Sequence, residues 1–102
     1  MSRYIEQIKA RRRLMMLVLC HKLGNLVNVD VMHLSLSGIV PCTLDELRAD
    51  VVWLVTQGLA TMQTLSVEVQ CMELTRRGAE VANGSNTHVG VARLMPGDLD
   101  VR

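Results

Sequence analysis

The chain has 102 residues, of which 49% are hydrophobic and 21% charged, and its formal net charge is +1. This length supports one domain, and the composition excludes a disordered tail. The longest apolar run, Leu14 to Cys20, has seven residues, too few for the roughly 20 that a membrane-spanning helix needs. No apolar export signal is visible at the N-terminus, so we expect a cytoplasmic protein without a membrane partner.

Cysteine and histidine residues are scattered along the sequence. Cys20, Cys42 and Cys71 lack the close pairing of zinc ligands or of a disulfide framework, and we expect them to be buried small apolar residues. No nucleophile, metalloprotease or phosphate-loop motif occurs. We therefore expect no enzymatic activity, no metal and no cofactor.

The first predicted element is a helix over residues 2–23, which Gly24 and Asn25 can end. One apolar stripe predicts the face toward the core: Ile5, Ile8, Met15, Met16, Leu19 and Leu23. Three further apolar residues lie on other sides of the helix, so its second half is apolar nearly all round: Leu14, Leu17 and Val18. Two interpretations stay open: a central core helix, or a dimer interface formed by these three residues.

Two shorter helices are predicted next, joined by an extended turn at Pro41. The second runs from about Val29 to Leu36, with Asn28 as its N-cap. Thr43 caps the third, and Glu46 stands at the capping-box position. The third helix should end at Gln57 and Gly58, with an inner stripe of Leu44, Leu47, Val51, Leu54 and Val55 and with Trp53 roughly opposite Leu44.

Residues 59–65 and 67–74 are rich in β-branched and apolar types and predict a hairpin. Thr75 can cap a short last helix from Arg76 to Ala82. We therefore divide the chain into a domain, 1–84, and a C-terminal tail, 85–102. The predicted fold is mainly α with a small β-hairpin, in the order helix, helix, helix, strand, strand, helix, which is the parts list of a winged helix-turn-helix domain.

Three stretches resemble winged-helix proteins of the ArsR and MarR type, and more closely the small ones encoded by Mu-like phages and prophages. Residues 41–48, with Leu-Val-Thr-Gln-Gly-Leu at 54–59, are similar to the third helix and the Gly-Leu pair that leads into the first wing strand. Residues 74–78, Leu-Thr-Arg-Arg-Gly, resemble the Leu-Thr-x-x-Gly that opens the last helix. Gly90-Val-Ala-Arg93 with Pro96 is similar to the tail of the phage-type relatives. The resemblance implies a DNA-binding transcriptional regulator, often dimeric, and the metal-sensing Cys-x-Cys pair is absent.

In such proteins the third helix usually enters the major groove. Its early outward residues here are Thr43, Asp45, Glu46, Arg48, Ala49 and Asp50, of which Thr43, Arg48 and Ala49 are the candidate DNA contacts. The first 24 residues carry a net charge of +5 and the remainder −4. Phosphate contacts are therefore expected from Arg11, Arg12 and Arg13, unless these form a solvated basic helix end. The predicted wing tip, residues 64–68, has no Lys or Arg.

Two functions remain in competition. The first is a phage or prophage transcriptional regulator that binds double-stranded DNA as a homodimer. The alternative is a winged-helix module without DNA affinity, which binds a protein through the acidic third helix, Trp53 and the basic first helix. We expect Trp53 to be partly buried under the wing or against another chain.

Overall fold

The computed structural model describes residues 2–98. The elements in chain order are α1 (Ser2–Lys22), β1 (Leu26–Asn28), α2 (Val29–Leu36), α3 (Leu44–Thr56), β2 (Ala60–Thr64), β3 (Gln70–Leu74) and α4 (Arg76–Ala82). The strands form one antiparallel sheet in the order β1-β3-β2. This part of the chain is therefore a small α+β fold, and the four predicted helices and the predicted hairpin are confirmed.

Three polar side chains begin three of the helices, as the sequence predicts. The Asn28 side chain accepts hydrogen bonds from the backbone N–H groups of Asp30 and Val31. Thr43 and Glu46 form a complete capping box at the start of α3, and Thr75 accepts from Gly78 N–H at the start of α4. Each cap satisfies N–H groups that the helix itself leaves without a partner.

The sheet differs from the prediction in two ways. A third strand, β1, pairs with β3 in the register Leu26 to Glu73 and Asn28 to Cys71. The hairpin strands are also shorter than predicted, because residues 65–69 form the turn, closed by a hydrogen bond from Leu65 N–H to the Val69 carbonyl. The apolar residues Leu65 and Val67 of this turn predicted strand, but their side chains lie in solvent.

The second half of α1 is the centre of the core. Leu14, Leu17 and Val18 are fully buried within a single chain. They have no surface left for a second copy, so the predicted dimer interface at these residues is wrong and the core-helix interpretation holds. The expected core positions Ile5 and Ile8 are instead exposed, because the first turns of α1 project beyond the elements that pack on it.

Two of the motifs that resemble the winged-helix family contact each other. The Thr75 hydroxyl donates to the Gly58 carbonyl at 2.7 Å, and Thr75 N–H donates to the Leu59 carbonyl at 3.1 Å. A Cβ at Gly78 would lie 1.9 Å from the same Leu59 oxygen. Glycine is required there because α4 touches the backbone that enters β2.

The helices of residues 2–98 include none that is long and apolar enough to cross a membrane.

Candidate functional site

Two of the three consecutive arginines in α1 lie inside the protein. Arg12 and Arg13 are 4% and 7% exposed, and Asp50 of α3 is 3% exposed. Arg12 Nε donates to Asp50 Oδ2, and Arg13 Nε donates to Asp50 Oδ1 at 3.1 Å. The prediction that Arg12 and Arg13 contact phosphates is therefore wrong, because both are enclosed. The outward placement expected for Asp50 is wrong for the same reason.

Arg13 also holds the aromatic residue of α3. Its guanidinium lies 3.9 Å from the centroid of the Trp53 ring, and its Nη1 donates to the Gly90 carbonyl at 3.1 Å. The His88 ring meets the Trp53 ring edge-on, with centroids 5.8 Å apart. Gly90 has a φ of 91°, and a Cβ there would lie 2.7 Å from the Trp53 ring. Trp53 is half-buried as expected, but against α1 and the chain's own C-terminal region.

Arg11, the first of the three consecutive arginines, binds Asp98 at the end of the described chain. Its two terminal nitrogens donate to the Asp98 carboxylate at 2.9 and 2.7 Å. These hydrogen bonds hold the pKa of Asp98 below its ordinary value and raise the pKa of Arg11. Ala92 N–H donates to the Ala10 carbonyl at 3.1 Å. Two nitrogens of Arg11 are therefore occupied by Asp98, whereas the side chain stays 40% exposed, so the phosphate contact expected from Arg11 stays a prediction.

We call residues 88–98 the C-terminal strap. They contact α1 at Ala10, Arg11 and Arg13, and Val91 joins the hydrophobic core. This part of the predicted tail therefore packs on α1 of its own chain. Residues 99–102 of that tail lie outside the described residues.

The candidate base contacts of α3 are exposed together on its first two turns: Thr43, Arg48 and Ala49. The Thr43 oxygen already accepts from Glu46 N–H, and the Glu46 carboxylate accepts from Thr43 N–H at 2.9 Å. That backbone hydrogen bond lowers the pKa of Glu46. Arg48 lies 3.8 Å from the Asp30 carboxylate of α2, and both side chains are more than half exposed.

A cleft of about 350 Å³ separates α2 and α3 from the hairpin turn, lined by Val29, Asp30, Arg48, Val67, Glu68 and Gln70. Leu34 lies one helical turn after Asp30, and Val52 one turn after Arg48, on the same sides of their helices. Asp45 precedes Arg48 on the same stripe. We call this surface the helix–hairpin face, formed by Asp30, Leu34, Asp45, Arg48, Val52, Val67 and Glu68.

The helix–hairpin face combines apolar and acidic side chains. Leu34, Val52 and Val67 are 73%, 60% and 97% exposed. Three acidic residues belong to this face, Asp30, Asp45 and Glu68, and the Asp30 carboxylate lies 3.8 Å from the Arg48 guanidinium. Arg48 and the acidic character of α3 were predicted from the sequence, but the three apolar residues were not. The helical period could have predicted two of them, because Leu34 lies one turn after Asp30 and Val52 lies one turn after Arg48.

The described residues offer little for metal or thiol chemistry. No group of three or more His, Cys, Asp or Glu side chains in residues 2–98 could hold a metal ion. Burial raises the pKa of Cys20 to about 12 and also raises the pKa of Cys42. Both thiols are therefore kept protonated at neutral pH, and a protonated thiol is a poor nucleophile.

Comparison of the chain with protein-family models, with curated proteins and with solved structures gives no match.

Proposed function

We propose that this chain is a winged helix-turn-helix domain that binds a protein partner through its helix–hairpin face. The element order supports the fold, because residues 37–43 connect α2 to α3, the hairpin follows α3 directly, and β1 completes the sheet beside β3. The observation that carries the function is the composition of the face, which has three exposed aliphatic side chains and three acidic residues beside a single arginine, Arg48.

Two physical effects favour protein over DNA at this face. Binding to duplex DNA depends on neutralising phosphates with Lys and Arg, and carboxylates at the same surface oppose it. Exposed aliphatic side chains gain nothing from phosphates. Against a protein surface they gain about 25 cal/mol for each Å² removed from water. The protein-binding alternative therefore moves ahead of the DNA-binding one.

A phage-type transcriptional regulator that binds double-stranded DNA is the second candidate. It is favoured by the common exposure of Thr43, Arg48 and Ala49 at the start of α3, where a recognition helix meets bases. It ranks second because Arg48 is the one basic residue of α3, and because Arg11, Arg12 and Arg13 are bound within the chain.

The experiment is affinity capture from a nuclease-treated lysate of the source cells, using the tagged full chain. The captured protein is then purified and titrated against two face variants, Leu34→Asp and Val67→Asp. The matched control is Val89→Asp, because Val89 is 93% exposed and lies on the C-terminal strap.

We expect a nuclease-resistant partner that binds the wild type and Val89→Asp equally and both face variants at least tenfold more weakly. Partners that disappear with nuclease would overturn the proposal and favour the DNA-binding candidate. A partner that binds all four proteins equally would also overturn it.

A further inference from the structure

The strand β2 forms a free edge of the sheet. It is the last strand in the order β1-β3-β2, and in residues 2–98 it pairs on one side only, with β3. The other end of the sheet is β1, which has three residues, whereas β2 has five. Along a strand, successive residues direct their backbone N–H and C=O groups to opposite sides. Alternate residues of β2 therefore direct these groups away from the sheet.

The hydrogen bonds of β3 identify the residues of β2 that face inward. Leu74 N–H donates to the Asn25 carbonyl at 2.8 Å, so the backbone of Leu74 faces β1. Its neighbour Glu73 therefore faces β2, and so does Cys71 two residues earlier. Thr61 of β2 stands opposite Glu73 in the register of the hairpin. The backbone of Thr61 is therefore directed toward β3, and the other positions of β2 follow by alternation.

The outward residues at the surface of β2 are Met62 and Thr64. Gln63 faces β3 as Thr61 does, so the residues on either side of Gln63 face away from the sheet. Thr64 is exposed and Met62 is half-buried, whereas Ala60, the third outward residue, is buried. Within the described chain, no backbone group of a turn or loop bonds to the N–H or C=O of Met62 or Thr64. These backbone groups form a row along the free edge.

The free edge of β2 lacks the features that keep other strands away. Natural sheets protect their edges with charged side chains, prolines or bulges. No Asp, Glu, Lys, Arg or Pro occurs in the sequence between Asp50 and Glu68. The pairing of β2 with β3 runs from Ala60 to Thr64 without a bulge. An extended segment that reaches this edge therefore meets neither a repelling charge nor a missing N–H group.

We propose that β2 is a docking edge for an extended segment of another protein, which adds a fourth strand to the sheet. The N–H groups of Met62 and Thr64 donate to the added strand, and their carbonyls accept from it. Because two residues carry all the outward groups at the surface, a single extended segment satisfies them without any further surface having to fit. This contact uses backbone groups of β2 and none of the side chains of the helix–hairpin face.

Amide hydrogen exchange of the full chain, followed by NMR, tests the edge. In the free chain the amides of Thr61 and Gln63 should exchange slowly, because they donate to β3, and those of Met62 and Thr64 should exchange fast. The probe is a peptide of about ten residues that alternates threonine and valine between two lysines. At about 1 mM it should slow the exchange of Met62 and Thr64 about fivefold or more.

A methylated peptide is the control for the probe. It has the same sequence, but every backbone nitrogen carries a methyl group, so it keeps the side chains and has no backbone donor. It should leave the exchange of Met62 and Thr64 unchanged.

Proline substitutions at the two exposed threonines of β2 separate the free edge from the paired one. Thr64→Pro removes an outward N–H group, so the protein should stay folded and the peptide should no longer slow the exchange of Met62. Thr64→Ala keeps the N–H group and should respond to the peptide as the wild type does. Thr61→Pro removes an inward N–H group and should unfold at a lower urea concentration than Thr64→Pro.

Three results would overturn the proposal. The first is slow exchange of Met62 and Thr64 in the free chain, which would mean that their groups are already bonded. The second is a peptide that protects neither amide, or protects them no better than its methylated form. The third is a mass of twice 11.3 kDa that is halved in Thr64→Pro, which would assign the edge to a second copy. None of these variants touches Leu34 or Val67, so the helix–hairpin face is judged by its own experiment.

Discussion

The arginines of α1 and the apolar residues of the helix–hairpin face both lie where their side-chain type does not predict, the first inside the protein and the second in solvent. Arg11, Arg12 and Arg13 provide half of the basic residues in the first 24 positions, yet they bind carboxylates and carbonyls of their own chain. Leu34 and Val67 are apolar, yet both lie in solvent. The comparison teaches that a basic run on a central helix does not by itself make a basic surface.

The geometry of a helix explains the difference. Three consecutive residues point about 100° apart, so they cannot all face solvent when the helix has neighbours on several sides. Arg12 and Arg13 therefore point toward α3, where Asp50 supplies the counter-charge. Buried charges need such a partner, because an unpaired one is costly to remove from water.

The largest effect is expected for Asp50→Ala. It leaves two buried guanidiniums without their carboxylate, so the free energy of unfolding should fall by about 3–5 kcal/mol. Urea denaturation measures this change. The control is Asp45→Ala, an exposed position on the same helix, which should change stability by less than about 0.5 kcal/mol. Equal effects of the two substitutions would show that the Asp50 pairing contributes nothing special.

The next prediction tests whether Leu17 of α1 belongs to the core or to a dimer interface. Leu17→Ala should lower the free energy of unfolding by about 2–5 kcal/mol, because it leaves a cavity among fully buried neighbours. The mass at native conditions should not change. A stable Leu17→Ala protein with a halved mass would restore the dimer interface that the structure removes.

A smaller effect is expected at the strap. Asp98→Asn should cost about 1 kcal/mol, since Arg11 is partly exposed to solvent. The pKa of Asp98 is lowered in the folded state, so its contribution is present above the ordinary value of 3.8 and is lost as the pH falls below it. Urea denaturation of both proteins between pH 7 and pH 3 should show the stability difference shrinking at the acid end. A difference that grows with acid would contradict the assignment.

The smallest effect is expected at the cap of α3. Thr43→Ala should lower the free energy of unfolding by about 1 kcal/mol, because Glu46 N–H loses its acceptor. Thr43→Ser keeps the acceptor oxygen and should remain close to the wild type. Thermal or urea unfolding of the pair checks this, and an equal loss in both variants would mean that the cap is not the cause.

The local features of the fold could be predicted from the sequence. The caps Asn28, Thr43 and Thr75 act within three residues of themselves, so their signal lies in short stretches. β1 could not be predicted in this way, because it has three residues and forms only by pairing with β3, more than 40 residues later.

The placement of the candidate site residues depends more than the caps do on contacts between residues far apart in the sequence. The fate of the arginines was set by Asp50 and Asp98, which lie 37 or more positions away along the chain. The apolar period of α1 predicted the helix correctly, but it does not show how far the core extends along it. Ile5 and Ile8 were therefore predicted to lie in the core, whereas both are exposed. Arg48 and Thr43 were correctly expected at the surface of α3.

The central claim is that Arg11, Arg12 and Arg13 of α1 serve the fold, and with it stands our proposal that the helix–hairpin face binds protein rather than nucleic acid. Fluorescence anisotropy of a labelled DNA duplex, titrated with the full chain at about 50 mM salt, tests it most directly, because phosphate contacts are strongest at low salt. The account predicts no saturable binding. Saturable binding that weakens steeply with added salt and is lost in Arg48→Ala would contradict it.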